Sequence, residues 1–530
     1  MSCAEGRNHG LPQAWKLAYE RDRSGEAVYA DPAPERRAAR VLAAFILTGL
    51  GFLAFPGTLV GVWNLIAIAA HRASTAASAA WIQAHGQAQL FGWVGTFMLG
   101  ISLYALPKFQ GRMPKRFGIA WAVWGLWTLG VAWRWWVGVS GWLWRVGLVA
   151  SGGLELAAFV LALYAVTLPR SAGTNARRPQ KAPRDLGSWM GMVGFGALGV
   201  ALVINLAISI EVATGSALPV YPPVPDRMFL LIALWGFAVP LAWGYSTRFV
   251  TVFLSLKQPL HRAARGLSLG VAAVVLLALS RQFLLADALV VGLTLVSLWV
   301  LRIFRPPVRS PKVVGVYRHY PAFVRLAYFW LVVGAVLGVL ADLFSAQGGL
   351  GGASRHAVTV GFLATLIFAI GPRILPSFLN GRELYSSALM AASLWILNFG
   401  CMLRVSSEAI AYSAGGAAWR VLPISALFEL TAVVVFVLNL ALTLAQPMPA
   451  WFEPKDVKAS LPVYWYVTSF PKTRALLVRA GLKTLDRVQD VPRSLTLAEA
   501  TEAEGADIDS VLAQLRQFFS RRQPRRVGRS

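Results

Sequence analysis

The sequence predicts an all-α polytopic membrane protein built from about twelve transmembrane helices in three related units of four. Of its 530 residues, 56% are hydrophobic and only 14% are charged, and the mean hydropathy is +0.57. Soluble domains carry more charge and less apolar surface. Apolar runs of about 20 residues recur along the chain, each long enough to cross roughly 30 Å of hydrocarbon. Several of these runs share one residue pattern, which indicates an internal repeat.

The predicted spans follow from the lengths of the apolar runs. They cover residues 41–66, 86–107, 117–137, 142–168, 188–212, 228–254, 266–283, 286–304, 323–343, 355–376, 386–404 and 421–445. The seventh and eighth nearly touch at Arg281–Asp287, so a tight hairpin is expected there. Residues 1–40 are a polar cytoplasmic segment without the short apolar core of a signal peptide. Residues 41–450 form the membrane domain.

The connecting segments alternate between basic and nearly neutral, which predicts their sidedness. Basic side chains cluster before the first span and after each even-numbered span up to the eighth, for example Arg37, Arg112, Arg178, Lys257 and Arg309. Both termini are therefore expected in the cytoplasm. The net charge of +26 then reflects topology and attraction to anionic lipid. Binding to nucleic acid is not expected, because no nucleic-acid-binding signature accompanies the charge.

One pattern recurs in the second, sixth and tenth spans. Its shared positions are Gly92, Gly236 and Gly361, followed at equal spacings by Tyr104, Arg248 or Arg373 and then by Phe109, Phe253 or Phe378. The fourth and twelfth spans also echo each other, since each begins Trp-Arg-Val and contains one acid, Glu155 or Glu429. The matching spans lie four or eight helices apart, which predicts three repeats of four helices.

Four charged residues within the predicted spans are candidate functional groups. Glu155 and Glu429 are costly inside a membrane unless paired, so each is expected to have a partner on another helix. Both a structural ion pair and a proton path fit this pattern. Arg248 and Arg373 occupy equivalent positions near the inner ends of their spans, where long basic side chains reach toward headgroups.

His85 and His356 stand at the outer mouths of the second and tenth spans. Two imidazoles facing each other at one membrane depth are what a six-coordinate haem iron requires. The chain has six histidines and two cysteines in all, too few cysteines for a four-thiolate iron–sulfur site. The middle repeat has Phe229 and Leu231 at the corresponding mouth, so one such site is predicted rather than three.

The two histidine-bearing spans resemble helices of haem–copper oxidase subunit I. HGQAQLFGWVGTFMLGISLYALP (85–107) resembles its second helix, and HAVTVGFLATLIFAIGPRILP (356–376) its tenth. The resemblance implies a low-spin haem, of b type, held by His85 and His356. It also shows a departure, since Ser354 stands where those enzymes carry another histidine and the sixth span lacks the copper-binding histidines. A complete oxygen-reducing enzyme is therefore not expected.

The chain resembles the NnrS family more closely, on His356, Ala357, Thr359, Gly361 and Arg373 and on the Arg-Phe-Val sequence that ends the sixth span. That resemblance implies a bacterial inner-membrane protein associated with haem, copper and nitric oxide stress. The family's second span carries His-x-His before Leu-Phe-Gly, whereas this chain has Gln87 and Gln89 after its single histidine. Amide groups are weak metal ligands, which weakens the expectation of copper.

Residues 451–530 are predicted to form a small cytoplasmic helical domain, with a turn at Gly481 and Asp507 capping the last helix. The segment is similar to a domain associated with hybrid-cluster proteins. It has Leu482–Leu485 where that domain often carries a redox cysteine pair. Docking of a soluble partner remains the expected role.

Three functions stay open at this point. The first is a haem protein of NnrS type that responds to nitric oxide or redox stress. The second is a quinol-linked electron-transfer subunit, and the third is a cofactor-free transporter that uses Glu155 and Glu429.

Overall fold

A computed structural model of the protein describes residues 11–24, 33–109, 117–167, 185–313, 315–344, 349–378, 384–446, 457–470, 472–488, 491–492 and 494–520. Within these ranges the chain is helical and contains no strand. Arg112 and Arg178, two of the basic residues that support the predicted sidedness, lie outside the described residues. The all-α polytopic class predicted from the sequence is confirmed.

Eleven helices in the described part of the chain are long and apolar enough to cross a membrane. They are Arg37–His71, Ala79–Leu106, Trp144–Val166, Leu186–Gly215, Pro223–Phe253, His261–Leu279, Phe283–Leu301, Tyr320–Leu343, Gly349–Leu375, Ser387–Ala414 and Ala418–Ala445. The predicted third span is also a helix, Phe117–Ser140, but its tryptophans and Arg134 make it less apolar. We number these helices as spans one to twelve in chain order.

Several boundaries differ from those read from hydropathy. The second span begins at Ala79 and the tenth at Gly349, both several residues before the predicted start. His85 and His356 therefore lie inside helices, about 9 Å and about 10 Å along the axis at ~1.5 Å per residue. The helices are longer than their apolar runs because polar residues such as Gln83 continue the helical hydrogen bonding outside the hydrophobic window.

The three pattern-bearing spans are the central helices of the membrane unit. Of their most apolar windows, 78%, 78% and 72% are buried in the second, sixth and tenth spans, against 33–56% in the other apolar spans. Aromatic contacts join the three pairwise: Phe91 stacks on Phe229, Phe249 meets Phe378, and Trp93 meets Phe368. The repeat therefore places one like helix from each unit at the centre.

The backbone of these three spans repeats as well. Each contains a π-helical segment that begins four residues before the shared glycine: Ala88–Gly95, Ile232–Ala238 and Ala357–Ala364. A Cβ on each glycine would lie within 2.9 Å of a side chain from the preceding span. Those side chains are Phe52 of the first, Ala197 of the fifth and Trp330 of the ninth span. The shared glycines thus mark an equivalent close helix contact in all three units.

The chain divides into two compact units. The membrane unit comprises Arg40–Arg112 and Arg116–Gln446, and the other comprises Met1–Ala39, Met113–Lys115 and Pro447–Ser530. We call the latter the terminal unit. Its helices are Gln13–Ser24, Val463–Ser469, Lys472–Arg479, Thr484–Arg487, Leu497–Glu504 and Ile508–Ser520.

The N-terminal helix of the terminal unit belongs to its hydrophobic core. Trp15 and Ala18 are fully buried among side chains that include Tyr466, Leu515 and Phe519. From the sequence, residues 1–40 are predicted to be a separate polar segment, because a single amphipathic helix gives a weak apolar signal. Asp507 accepts hydrogen bonds from the first backbone amides of the last helix, as its position predicts.

Candidate functional site

The second and tenth spans face each other, as the haem hypothesis requires. The rings of Trp93 and Phe368 meet edge to face, with centroids 6.4 Å apart. Toward the other end of the two helices, the Tyr104 hydroxyl donates to the carbonyl oxygen of Phe378 at 3.2 Å. His85 also lies within electrostatic range of His356. The two predicted ligands therefore belong to one region of the membrane unit.

The orientation of His85 is set by the first span. Its Nδ1 lies 2.8 Å from the carbonyl oxygen of Gly57, and its ring packs on Gly61, where a Cβ would stand 2.5 Å from Cε1. A carbonyl oxygen only accepts, so Nδ1 carries the hydrogen and Nε2 keeps its lone pair. Gly57 lies in the π-helical segment Leu53–Leu59, a backbone form often found at functional sites.

The orientation of His356 is set in the same way. Its Nδ1 lies 2.9 Å from the carbonyl oxygen of Gly352 and 3.3 Å from Oε2 of Glu408 in the eleventh span. The Gly352 carbonyl oxygen accepts the Nδ1 hydrogen, so in the neutral ring Nε2 keeps its lone pair. Metal-binding histidines commonly donate their second nitrogen to a carbonyl or carboxylate.

A charged cluster surrounds His356 in the third unit. Arg404 Nη2 donates to Oε1 of Glu408 at 3.3 Å, and Glu429 of the twelfth span lies within electrostatic range of both His356 and Arg404. Within the described residues, three buried atoms of this cluster have no hydrogen-bond partner: Arg404 Nη1, Glu408 Oε2 and Glu429 Oε1. We call His356, Arg404, Glu408 and Glu429 the third-unit cluster. The described residues leave some of its buried polar atoms without hydrogen-bond partners.

A second cluster surrounds Glu155 in the first unit. Gln87 Nε2 donates to Glu155 Oε1 at 3.0 Å, and Asn205 Nδ2 donates to Oε2 at 3.2 Å. The Tyr221 hydroxyl donates to Asn205 Oδ1 at 2.7 Å. The guanidinium of Arg134 stacks on the Tyr221 ring, 4.7 Å from its centroid. We call these five residues the first-unit cluster, in which both carboxylate oxygens have protein donors on other helices.

The two clusters share one helix arrangement, which we call the frame: a helix with Gly-x-x-x-Arg packs against the acid of the next span. The third and eleventh spans each contain Gly-x-x-x-Arg. The glycine of each packs against the acidic side chain of the following span. A Cβ on Gly130 would lie 2.9 Å from Cγ of Glu155, and one on Gly400 would lie 3.2 Å from Cγ of Glu429. Arg134 and Arg404 thus occupy equivalent places beside equivalent acids. The structure extends the sequence repeat to the spans that follow the central helices.

The shared glycines Gly92 and Gly361 show which residues of the second and tenth spans are equivalent, and the two histidines are not. His356 stands five residues before Gly361, and the residue five before Gly92 is Gln87. By the same register, His85 corresponds to Ser354. The two imidazoles are therefore at different repeat positions, and His85 contacts the first span whereas His356 contacts the eleventh.

Three charged residues of these clusters were not predicted as site residues: Arg134, Arg404 and Glu408. Arg134 lies among tryptophans that suggest only an aromatic belt, although it is 2% exposed. Its Nε and Nη1 have no hydrogen-bond partner among the described residues. The signal that finds it is the shared Gly-x-x-x-Arg, together with the rule that ionisable groups inside spans are functional candidates.

The other two predicted site residues, Arg248 and Arg373, lie toward the opposite end of their spans. Arg248 Nη2 donates to Oδ2 of Asp185 at 2.8 Å, and the Arg373 guanidinium lies 5.0 Å from the ring centroid of Phe253. The structure brings neither of them to the histidines. Within the described part of the chain, no three His, Cys, Asp or Glu side chains converge as a metal-holding group.

The fold and these clusters define a polytopic helical membrane protein with ionisable groups buried beside its central spans. The family model for the NnrS protein matches residues 42–448, which include all twelve spans except the first few residues of span one. The chain therefore belongs to the NnrS family. No curated protein matches its sequence.

Proposed function

We propose that this chain is a haem-binding protein of the bacterial inner membrane that acts in the response to nitric oxide or redox stress. In this proposal His85 and His356 hold the haem iron near the outer face of the membrane, and both termini lie in the cytoplasm. Membership of the NnrS family supports the class of function. The arrangement of the two histidines supports the site.

The observation that carries the proposal is that both imidazoles form the same kind of hydrogen bond through Nδ1. Each donates from Nδ1 to a backbone carbonyl, at 2.8 Å for His85 and 2.9 Å for His356. Each therefore offers the Nε2 lone pair, which is the form that binds a metal ion. In their neutral form, two imidazoles from facing helices match the ligands that hold a six-coordinate haem iron.

One polar atom of the third-unit cluster, Arg404 Nη1, also fits a haem. A haem carries two carboxylate side chains in addition to its iron, and buried polar atoms require partners. Arg404 Nη1 is a buried donor without a partner among the described residues. His85 and His356 would hold the iron of a bound haem, which would supply one-electron chemistry. The protein would orient the imidazoles.

A second candidate function is quinol-linked electron transfer. The first-unit cluster favours it, because Asn205 joins Glu155 to Tyr221, and the Tyr221 ring packs edge to face on Phe229. A carboxylate joined in this way to aromatic rings provides both a proton acceptor and a surface for a flat ring. Glu155→Gln would then slow reduction of the haem by a quinol analogue without changing its haem content. Reduction at the wild-type rate would exclude this role for Glu155.

The proposed haem site is tested by the visible spectrum of the purified protein. We expect a sharp low-spin spectrum in the wild type and its loss in both His85→Ala and His356→Ala, because six-coordination needs both nitrogens. His71→Ala is the matched control. His71 is exposed at the end of the first span, and its Nδ1 contacts the carbonyl oxygen of Ala67 at 3.0 Å.

The outcomes separate the functions that the sequence leaves open. A wild-type protein that stays colourless after expression with excess haem would favour a cofactor-free transporter. A His71→Ala variant that loses the spectrum along with the other two would show that the loss is not specific to the proposed ligands.

A further inference from the structure

Among the described residues, Glu408 is the carboxylate that lies at ion-pair distance from a proposed ligand. Its Oε2 lies 3.3 Å from Nδ1 of His356, and its Oε1 accepts from Arg404 one helical turn earlier. The Arg404 and Glu408 side chains are about nine-tenths buried, at 9% and 11% exposure. Charges buried to this extent interact strongly, because water screens them little.

The tenth span is shaped to admit this carboxylate. A Cβ on Gly352 would overlap Oε1 of Glu408 and stand 3.2 Å from Oε2, and a Cβ on Gly349 would overlap the Glu408 backbone carbonyl. Only glycine leaves room at these positions without displacing the eleventh span. Gly352 also supplies the carbonyl oxygen that receives the Nδ1 hydrogen of His356. One short segment of the tenth span therefore holds both acceptors against the imidazole.

We infer that Glu408, held by Arg404, is the positioning residue that orients His356 and increases its electron donation to a bound iron. The inference rests on the proposed function. A carboxylate beside the outer nitrogen of a metal-bound imidazole fixes the ring and makes it a more basic ligand. A more basic axial ligand stabilises the oxidised iron, which lowers the reduction potential.

The first unit supplies a matched control for this effect. Glu155 is also a buried carboxylate of the same frame, but it contacts the amides of Gln87 and Asn205 rather than an imidazole. Removing its charge tests how far a buried negative charge alone changes the iron. Only Glu408 is expected to act through a ligand.

The test is a spectroscopic redox titration of the full-length protein and its variants. We expect Glu408→Gln to keep a low-spin spectrum while its midpoint potential shifts to more positive values. Glu408→Asp retains the charge and should lie closer to the wild type. Glu155→Gln should leave haem content and potential at wild-type values, or shift the potential by much less than Glu408→Gln.

Gly352→Ala is a second variant that keeps every charge but displaces the Glu408 carboxylate, so it should shift the potential in the same direction. It serves if Glu408→Gln does not accumulate. A haem-loaded Glu408→Gln or Gly352→Ala variant with the wild-type potential would overturn the inference alone. Equal shifts in Glu408→Gln and Glu155→Gln would also overturn it. Wild-type protein without haem would overturn the proposed function and this inference together.

Discussion

The first-unit and third-unit clusters use one frame for different purposes. In both, a Gly-x-x-x-Arg helix packs against the acid of the next span, Glu155 in one unit and Glu429 in the other. Glu155 accepts hydrogen bonds from two amides on other helices, whereas Glu429 Oε1 has no such partner among the described residues. The repeat position that carries Gln87 in one unit carries His356 in the other. With an amide at this position, as in the first unit, the hydrogen bonds of the acid are completed by the protein. With an imidazole there, as in the third unit, buried polar atoms of the described residues are left for a ligand to bind.

The largest expected difference between the clusters concerns their arginines. Arg404→Leu leaves two buried acids, Glu408 and Glu429, without their cation, and removing one partner of a buried pair costs about 3–5 kcal/mol. Arg134→Leu should cost less, because Glu155 keeps both amide donors. The measurement is the free energy of unfolding in mixed micelles. Equal losses for the two variants would show that the clusters are equally dependent on their charge pairs.

The second prediction concerns the amides that close the first-unit cluster. Asn205→Leu removes the donor to Glu155 Oε2 and the acceptor for the Tyr221 hydroxyl. Hydrogen bonds to charged groups contribute about 1.5–3 kcal/mol, so the variant should be destabilised by roughly that amount. Ser209→Ala, which removes one contact to Tyr221, should cost about 1 kcal/mol. Thermal unfolding of both variants would check the ranking, and the reverse order would contradict a closed network.

The third prediction concerns the shared glycines of the frame. Gly130→Ala and Gly400→Ala should each destabilise the protein by about 1–3 kcal/mol, because the added methyl overpacks the helix contact. Gly153→Ala is the matched control, since a Cβ there meets no atom within 4 Å. It should be neutral or slightly stabilising in thermal unfolding. A control as unstable as the other two would show that helical glycines are needed for another reason.

The sequence predicts the spans, the repeat and the histidine pair, because these depend on local properties. Length and hydropathy define the helices, and the shared glycines report a local packing contact. The partners of Glu155 could not be named, since Gln87 and Asn205 come from separate helices whose rotation depends on tertiary packing. Glu408 was missed although it follows Arg404 by four residues, a spacing that pairs charges on one helix face. The π-helical segments have no sequence signature beyond the shared glycine.

The smallest expected effect comes from the ion pair between Asp185 and Arg248, which sets the scale for charges that are not deeply buried. Burial disfavours the charged form of Asp185, but hydrogen bonds from the Ser188 side chain and amide, and the charge of Arg248, outweigh burial. The pKa of Asp185 therefore lies below its usual value. A carboxyl whose pKa is lowered by folding stabilises the folded state above its unfolded pKa, about 3.9 for aspartate.

That contribution is lost as the pH falls through the lowered value. Asp185→Asn keeps an N-cap for the fifth span but removes the charge. Because the Asp185 and Arg248 side chains are 33% and 40% exposed, the pair should contribute only about 0.2–1 kcal/mol at neutral pH. Unfolding measured from pH 7 downward should show the wild type and the variant converging as the carboxylate becomes protonated. A difference that persists unchanged at the lowest pH would mean that Asp185 stabilises the span through its cap geometry and not through its charge.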